Sequence, residues 1–248
     1  MSGWYQREIL DAGKQPLALL FLAFVVTFLF IRFSTRMIRA QVKWWPGNVT
    51  PGGLHVHHVV FGIVFMLLAG AGGFSRIGDD RPWAEIFAAL FGVGAALVLD
   101  EFALVLHLRD VYWSEQGRTS VDAVFLATAV FGLLLLGAVP LGVDDQEAAD
   151  TGGWAVAVVV LIHGSFVGLT LLKGKLWMGL LGVLVPIFAF VGAVRLARPQ
   201  SPWARWRYRP GSRKWARADR RESRHAWWVG RRRRFQDAVA GFDEPSGR

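Results

Sequence analysis

The 248-residue chain contains no cysteine. That absence excludes a disulfide framework, a metal site built on thiolates and a cysteine nucleophile. Any metal ion would have to be held by histidine, aspartate or glutamate, a donor set that suits zinc, iron or manganese. The zinc-protease spacing H-E-x-x-H and an internal repeat of fixed period are also missing from the sequence.

Charge is sparse too, since only 19% of the residues are charged while 53% are hydrophobic. Apolar runs of about 18 or more residues recur, which is the length that a helix needs to cross a bilayer. This much apolar sequence is atypical of a soluble domain. The composition therefore predicts an integral membrane protein that crosses the membrane several times.

The apolar runs predict an all-α, six-helix transmembrane bundle over residues 1–198. The predicted spans are 17–38, 54–74, 83–108, 121–141, 154–172 and 176–196. The first run lacks the small-residue cleavage pattern of a signal peptide, so we interpret it as a retained span. Arg32, Arg36 and Arg39 at its end are expected to snorkel to the interface, and Pro186 is expected to kink the sixth span.

The most unusual residues of the apolar sequence are three histidines and two carboxylates. His55, His57 and His58 stand at the entrance of the second predicted span, and Asp100 and Glu101 lie deep in the third. A charged side chain inside a bilayer costs about 2.5–3.5 kcal/mol on insertion scales, so such groups usually have partners and a function. The second span begins at the face to which the third returns. We therefore predict that one of these histidines lies close to a carboxylate.

Metal chemistry is one interpretation of this group. His107 follows Asp100 by seven residues, which places both on one stripe of a continuous helix. The predicted metal ligands are His55, His57, His58, Asp100 and His107. Glu101 is the predicted catalytic group, and zinc or another divalent ion with an open coordination position would supply an activated water.

Simpler interpretations stay open. The three histidines are also consistent with a polar helix start, and the carboxylates with a structural network that includes Arg32, Arg36 or Arg109. His163, near the middle of the fifth predicted span, is interpreted as a hydrogen-bonded histidine of the bundle in preference to a ligand.

The tail, residues 199–248, interleaves aromatic and basic residues. From Arg195 onward the chain holds sixteen Lys and Arg against five Asp and Glu, while positions 1–194 hold the other twelve and fourteen. We predict that the tail lies on anionic lipid headgroups, where each basic residue contributes about 1 kcal/mol. Nucleic acid is disfavoured because a tail tethered beside a bilayer meets lipid first. The predicted contact residues are Trp203, Arg205, Trp206, Arg207, Trp227, Trp228, Arg231, Arg232, Arg233 and Arg234.

The distribution of basic residues gives a contradictory orientation. The basic tail predicts a cytoplasmic C-terminus at the inner (plasma) membrane, and six spans then place the N-terminus in the cytoplasm as well. Yet the first loop, with Arg36, Arg39 and Lys43, would then lie outside. The fourth loop carries four acidic residues and no basic one, and it would lie inside.

Four short motifs resemble a group of actinobacterial integral membrane proteins. The motifs are His55-x-His57-His58, Leu99-Asp100-Glu101-Phe102-Ala103-Leu104, Asp110-Val-Tyr-Trp113 and Ser201-Pro-Trp-Ala-Arg205. The resemblance implies an inner-membrane location and brings no reaction with it. The arrangement is also loosely similar to intramembrane zinc hydrolases of the alkaline-ceramidase and adiponectin-receptor type. Those proteins carry an H-x-x-x-H pair in a late helix, where this chain has only His163.

Three functions of different classes follow from these residues. The first is hydrolysis of a lipid-linked substrate at an intramembrane His/Asp/Glu site. The second is a transporter or proton-coupled channel in which Asp100, Glu101 and His163 form a relay. The third is a non-catalytic scaffold subunit that binds a membrane-protein partner. The sequence does not decide whether the protein is an enzyme.

Overall fold

The structure is a computed structural model that describes residues 2–46, 57–107, 118–143, 153–209 and 211–222. Within these ranges the regular structure is helical and no strand is present, which confirms the all-α prediction. The described residues form two compact units, the first ending at Phe131 and the second beginning at Gly132.

The helices of the chain are named α1 to α11 in order. In the first part they are α1 (Ser2–Tyr5, continued by a π-helical turn at Gln6–Leu10), α2 (Gln15–Arg39), α3 (His58–Gly73), α4 (Trp83–Asp100), α5 (Phe102–His107) and α6 (Arg118–Leu135). The second part holds α7 (Gly153–Leu172), α8 (Leu176–Gly182), α9 (Pro186–Val194), α10 (Pro202–Arg207) and α11 (213–222). Single 3₁₀ turns lie at Arg76–Asp79 and Pro140–Gly142.

Three of the described helices, α2, α4 and α7, are long and apolar enough to cross a membrane. Helix α2 shows why. One stripe, Phe24, Phe28 and Arg32, is buried, while the other faces carry large apolar side chains that are about half exposed, among them Leu29 and Phe30. A helix that is apolar on its outward faces needs an apolar surrounding, as a bilayer provides. Helix α3 and the apolar part of α6 are shorter.

Helices α2, α3 and α4 pack as neighbours in the first unit. Phe24 and Phe28 of α2 meet Ala95 and Ala96 of α4 and Val124 of α6 in one buried apolar cluster. Glycines permit this close approach: a Cβ on Gly92 would collide with the Leu20 backbone, and a Cβ on Gly62 would lie 2.8 Å from the Gly94 carbonyl oxygen. Small residues of this kind are the usual means of close helix packing in membranes.

Several predicted boundaries differ from the structure. The third predicted span, 83–108, is not one helix, because α4 ends at Asp100 and α5 begins at Phe102. Glu101 between them has φ −102° and ψ 19°, outside the α-helical region. Helix α6 corresponds to the fourth predicted span, 121–141, but begins at Arg118 and ends at Leu135. Residues 54–56 of the second predicted span lie outside the described part of the chain.

The sixth predicted span, 176–196, is also not a single helix. Helix α8 ends at Gly182, and α9 begins at Pro186 after Val185 has adopted an extended conformation (φ −127°, ψ 98°). Proline disfavours the helical conformation of the residue before it and lacks the N–H that would continue the helix. The predicted kink at Pro186 is therefore a full interruption.

A buried polar cluster as the candidate functional site

Five side chains of the first unit converge where α2, α3 and α4 meet: Arg32, His57, His58, Asp100 and Glu101. We call them the polar cluster. The approach of histidine to carboxylate that the sequence predicts is confirmed, although the residues are 42 to 44 positions apart in the chain.

Asp100 forms the inner end of the polar cluster. Its side chain is fully buried, and its Oδ1 lies 2.7 Å from Nη2 of Arg32, which is also buried. The guanidinium carbon of Arg32 stands 5.3 Å from the centre of the Phe28 ring on the preceding turn. A buried carboxylate is tolerated when it is paired and hydrogen-bonded, and Arg32 provides that pairing.

Glu101 forms the outer end and joins two helices. His57 Nδ1 donates to its Oε1 at 2.9 Å, and the Val59 N–H donates to its Oε2 at 2.8 Å. Val59 is the second residue of α3, so Glu101 satisfies one of the N–H groups that a helix start leaves without an intrahelical partner. A carboxylate at this position is also favoured by the helix dipole.

His58 connects the two ends. Its Nε2 donates to Asp100 Oδ2 at 3.2 Å, and its Nδ1 lies 3.5 Å from Glu101 Oε1. On an uninterrupted helix the two adjacent carboxylates would point about 100° apart. The interruption at Glu101 turns the second carboxylate so that one imidazole reaches both.

Exposure changes across the polar cluster. The side chains of Arg32 and Asp100 are 6% and 0% exposed, whereas those of His57 and His58 are 27% and 25% exposed. The histidines therefore lie between the buried ion pair and the surface of the unit.

Two residues of this region have roles that the sequence analysis did not predict. Arg32 was expected to snorkel, yet it is buried and paired with Asp100, which is the alternative that the sequence left open. A signal for this existed, because Arg32 continues the four-residue spacing of the buried Phe24 and Phe28. Sequence reasoning also missed Ser120, a buried residue of α6 whose Oγ accepts from the Ala103 N–H at 2.9 Å.

The other predicted site residues have different outcomes. His55 lies outside the described residues, as do Arg109 and Asp110. His107 ends α5, beyond the interruption at Glu101, so the predicted seven-residue stripe on a continuous helix is wrong. His163 belongs to the second unit, where it is buried and its Nε2 donates to the Gly182 carbonyl at 2.7 Å.

The predicted metal can be compared with the arrangement of donors. All four carboxylate oxygens already accept from, or pair with, Arg32, His57, His58 or the Val59 N–H. Among the described residues no group of three or more His, Asp or Glu side chains is arranged to hold one ion. A divalent ion held by these residues would have to replace the hydrogen bonds that the two imidazoles make to the carboxylates.

The described tail residues lie in and after α10. Ser201 caps this helix by accepting from the Ala204 N–H at 3.2 Å. The centre of the Trp203 ring lies 5.6 Å from Lys173 Nζ and 5.6 Å from the guanidinium carbon of Arg207. Trp206 is 72% exposed. The predicted contact residues after position 222 lie outside the described part of the chain.

Comparison of the chain with protein-family models, with curated proteins and with solved structures finds no match.

Proposed function

We propose that this chain is an integral protein of the plasma membrane whose polar cluster binds and releases a proton, and that the protein serves proton-coupled transport. One observation carries the proposal. Glu101 shares its carboxylate between two partly exposed imidazoles and a helix N-terminus, directly beside a buried Arg32–Asp100 pair.

The formal charges of the polar cluster support this proposal. Two carboxylates and one guanidinium leave one negative charge when both histidines are neutral. One proton on His57 or His58 removes it. Histidine is the side chain whose ordinary charge change falls nearest neutral pH, and ionisable groups within membrane helices commonly form proton pathways.

Burial supports the proposed direction of proton access. The ion pair at the inner end fixes the Asp100 carboxylate, while the histidines at the outer end are within reach of water. A proton arriving at His57 or His58 therefore has an acceptor, Glu101, within hydrogen-bonding distance. We propose a structural role for His163 in the second unit, because its Nε2 donates to a backbone carbonyl.

Proton flux into liposomes tests the proposal. Purified protein is reconstituted with a pH-sensitive dye inside the vesicles, and a pH difference is imposed. We expect flux above that of protein-free vesicles and a loss of at least about tenfold in Glu101→Gln, because proton transfer by a positioned group contributes roughly 10²–10⁴-fold.

A matched control lies on α4, the helix that precedes Glu101. Glu85, at the opposite end of α4, is also a buried carboxylate, and its Oε1 pairs with Arg81 Nε at 2.9 Å. Glu85→Gln should leave the flux within about twofold of wild type. Equal flux in protein-free vesicles, or equal losses in both variants, would overturn the proposal.

Hydrolysis of a lipid-linked substrate is a second candidate. It is favoured by the placement of Glu101 beside two imidazoles, since such pairs act as general acids and bases. The zinc or other divalent ion of the sequence prediction would replace the hydrogen bonds of His57 and His58 to the carboxylates. Metal analysis of protein purified without chelators tests this candidate: about one ion per chain, lost in Asp100→Asn, supports it.

A further inference from the structure

The last apolar segment of the chain is tied to α7 by side-chain hydrogen bonds to its backbone. His163 Nε2 donates to the Gly182 carbonyl at 2.7 Å, and Thr170 Oγ1 donates to the Ala189 carbonyl at 2.7 Å. His163, Val167 and Thr170 are the buried residues of α7, so they define the stripe on which the segment packs.

The order of these contacts gives the direction of each helix. Gly179 of α8 lies against Leu171, and Gly182, three residues later, lies against His163. Helix α8 therefore runs antiparallel to α7. Helix α9 runs the other way, because Ala189 and Gly192 both lie against Thr170, after the chain has left Gly182 at the level of His163.

The residues that follow α9 lie beside the residues that precede α8. Lys175, just before α8, donates through Nζ to the carbonyls of Gly192 and Arg195, at 2.5 Å and 2.9 Å. Arg198 N–H donates to the Lys173 carbonyl at 3.0 Å. These contacts join the residues before α8 to the last turn of α9 and the residues after it, all beside the C-terminal end of α7.

The lengths of the two helices agree with this path. At 1.5 Å per residue α8 is about 10 Å long and α9 about 14 Å, while the hydrocarbon core is about 30 Å thick. The interrupted backbone at Val183 and Val185 is not left bare, since the Val183 carbonyl accepts from the Leu141 N–H at 2.8 Å. Interrupted backbone at membrane depth is tolerated only where it is covered in this way or lines a cavity.

We infer that residues 176–194 form a re-entrant hairpin that enters and leaves the membrane on the same side, so that the chain crosses five times and the N-terminal segment and the basic tail lie on opposite sides of the membrane. The first part of this inference rests on the contacts within the second unit. The second part follows from counting crossings along the chain.

The crossings of the first unit are set by its contacts. Leu20 lies against Gly92 and Arg32 against Asp100, so α2 and α4 run parallel. Two parallel helices that both span the membrane require α3, between them, to cross in the opposite direction. The ends of α2 and α4 and the start of α3 then lie on one side, which is the side of the polar cluster.

Helix α6 starts on that side and returns across. Its Ser120 pairs with Ala103 just beyond α4, whereas its Phe131 packs edge-to-face on Phe24 at 5.4 Å, eight residues before Arg32 on α2. Helix α7 then makes the fifth crossing. An odd number of crossings places the N-terminal segment and the tail on opposite sides of the membrane.

This count removes the contradiction in the distribution of basic residues. With five crossings and a cytoplasmic tail, the first loop with Arg36, Arg39 and Lys43 is cytoplasmic, and the acidic fourth loop is outside. That is the arrangement that membrane proteins favour. The N-terminus is then outside, opposite to the placement predicted from six spans.

Single-cysteine labelling tests the inference directly. The native chain has no cysteine, so the unchanged protein is the negative control for labelling. Ser2→Cys, Gln146→Cys and Ser246→Cys are expressed as full-length protein and treated in intact cells with a membrane-impermeant thiol reagent. Ser2→Cys and Gln146→Cys should label in intact cells, and Ser246→Cys only after permeabilisation.

Two comparisons between labelled positions test the hairpin and the number of crossings separately. Labelling of Gln146→Cys and Ser246→Cys from the same side would overturn the hairpin, because α7 and a sixth crossing would then lie between them. Labelling of Ser2→Cys and Ser246→Cys from the same side would overturn the count of five. Neither result depends on proton flux, so a failure of the proposed function leaves this test intact.

Discussion

The Arg32–Asp100 pair makes the strongest prediction about stability. Both side chains are buried, and their N and O atoms are 2.7 Å apart. Removing one partner leaves the other charge buried without its oppositely charged partner. We expect Arg32→Met or Asp100→Asn to lower the free energy of unfolding by about 3–5 kcal/mol, the usual cost of breaking a buried pair.

The double variant distinguishes pairing from simple loss of packing. In Arg32→Met/Asp100→Asn no charge is stranded, so much of the loss should be recovered. The two effects should therefore be non-additive by at least about 1 kcal/mol, within the 0.5–3 kcal/mol that contacting residues show in double-mutant cycles. Thermal unfolding in detergent, followed by the fraction that stays monodisperse, measures all four proteins.

Arg36→Met is the matched control, because Arg36 lies one turn further along α2 and is exposed. Exposed pairs contribute about 0–1 kcal/mol, so its effect should be small. If Arg32→Met is no more damaging than Arg36→Met, or if the double variant shows the sum of the single losses, the ion pair does not stabilise the fold. A loss of proton flux in all Arg32 and Asp100 variants, without loss of stability, would instead assign the pair to function.

The sequence predicts correctly that histidines and carboxylates of the polar cluster lie close together. Histidines at the start of one apolar run and carboxylates near the end of the next must approach each other if the two helices are antiparallel neighbours, and they do. The roles of the residues were less predictable. Glu101 caps the start of α3, and neither glycine nor proline marks the interruption of the helix that makes this contact.

Hydropathy alone does not reveal that the last apolar segment is divided into two helices. Its 21 residues from 176 to 196 contain no charge before Arg195, which is what a crossing helix requires. Hydropathy measures the environment of a segment and carries no information on its direction. The direction depends on donors in another helix, His163 and Thr170, that are separated from the carbonyls they reach by 19 residues.

Three further predictions concern packing and charge. Gly92→Ala should lower stability by about 1–3 kcal/mol through overpacking against Leu20, whereas Gly164→Ala, with open space around it, should be neutral or slightly stabilising in the same thermal assay. His163→Leu should cost about 1–3 kcal/mol because the buried Gly182 carbonyl loses its donor, and His163→Gln should recover part of that loss. Burial first, and then three neighbouring cations, lower the pKa of Lys175 to about 8. The folded state therefore binds this proton less tightly than the unfolded chain, so the contribution of Lys175 to stability should rise between about pH 8 and pH 10.5. The NMR signal of ¹³C-dimethylated Lys175, assigned by its loss in Lys175→Arg, should titrate near pH 8, and a midpoint at the ordinary lysine value would contradict its enclosure at the base of the hairpin.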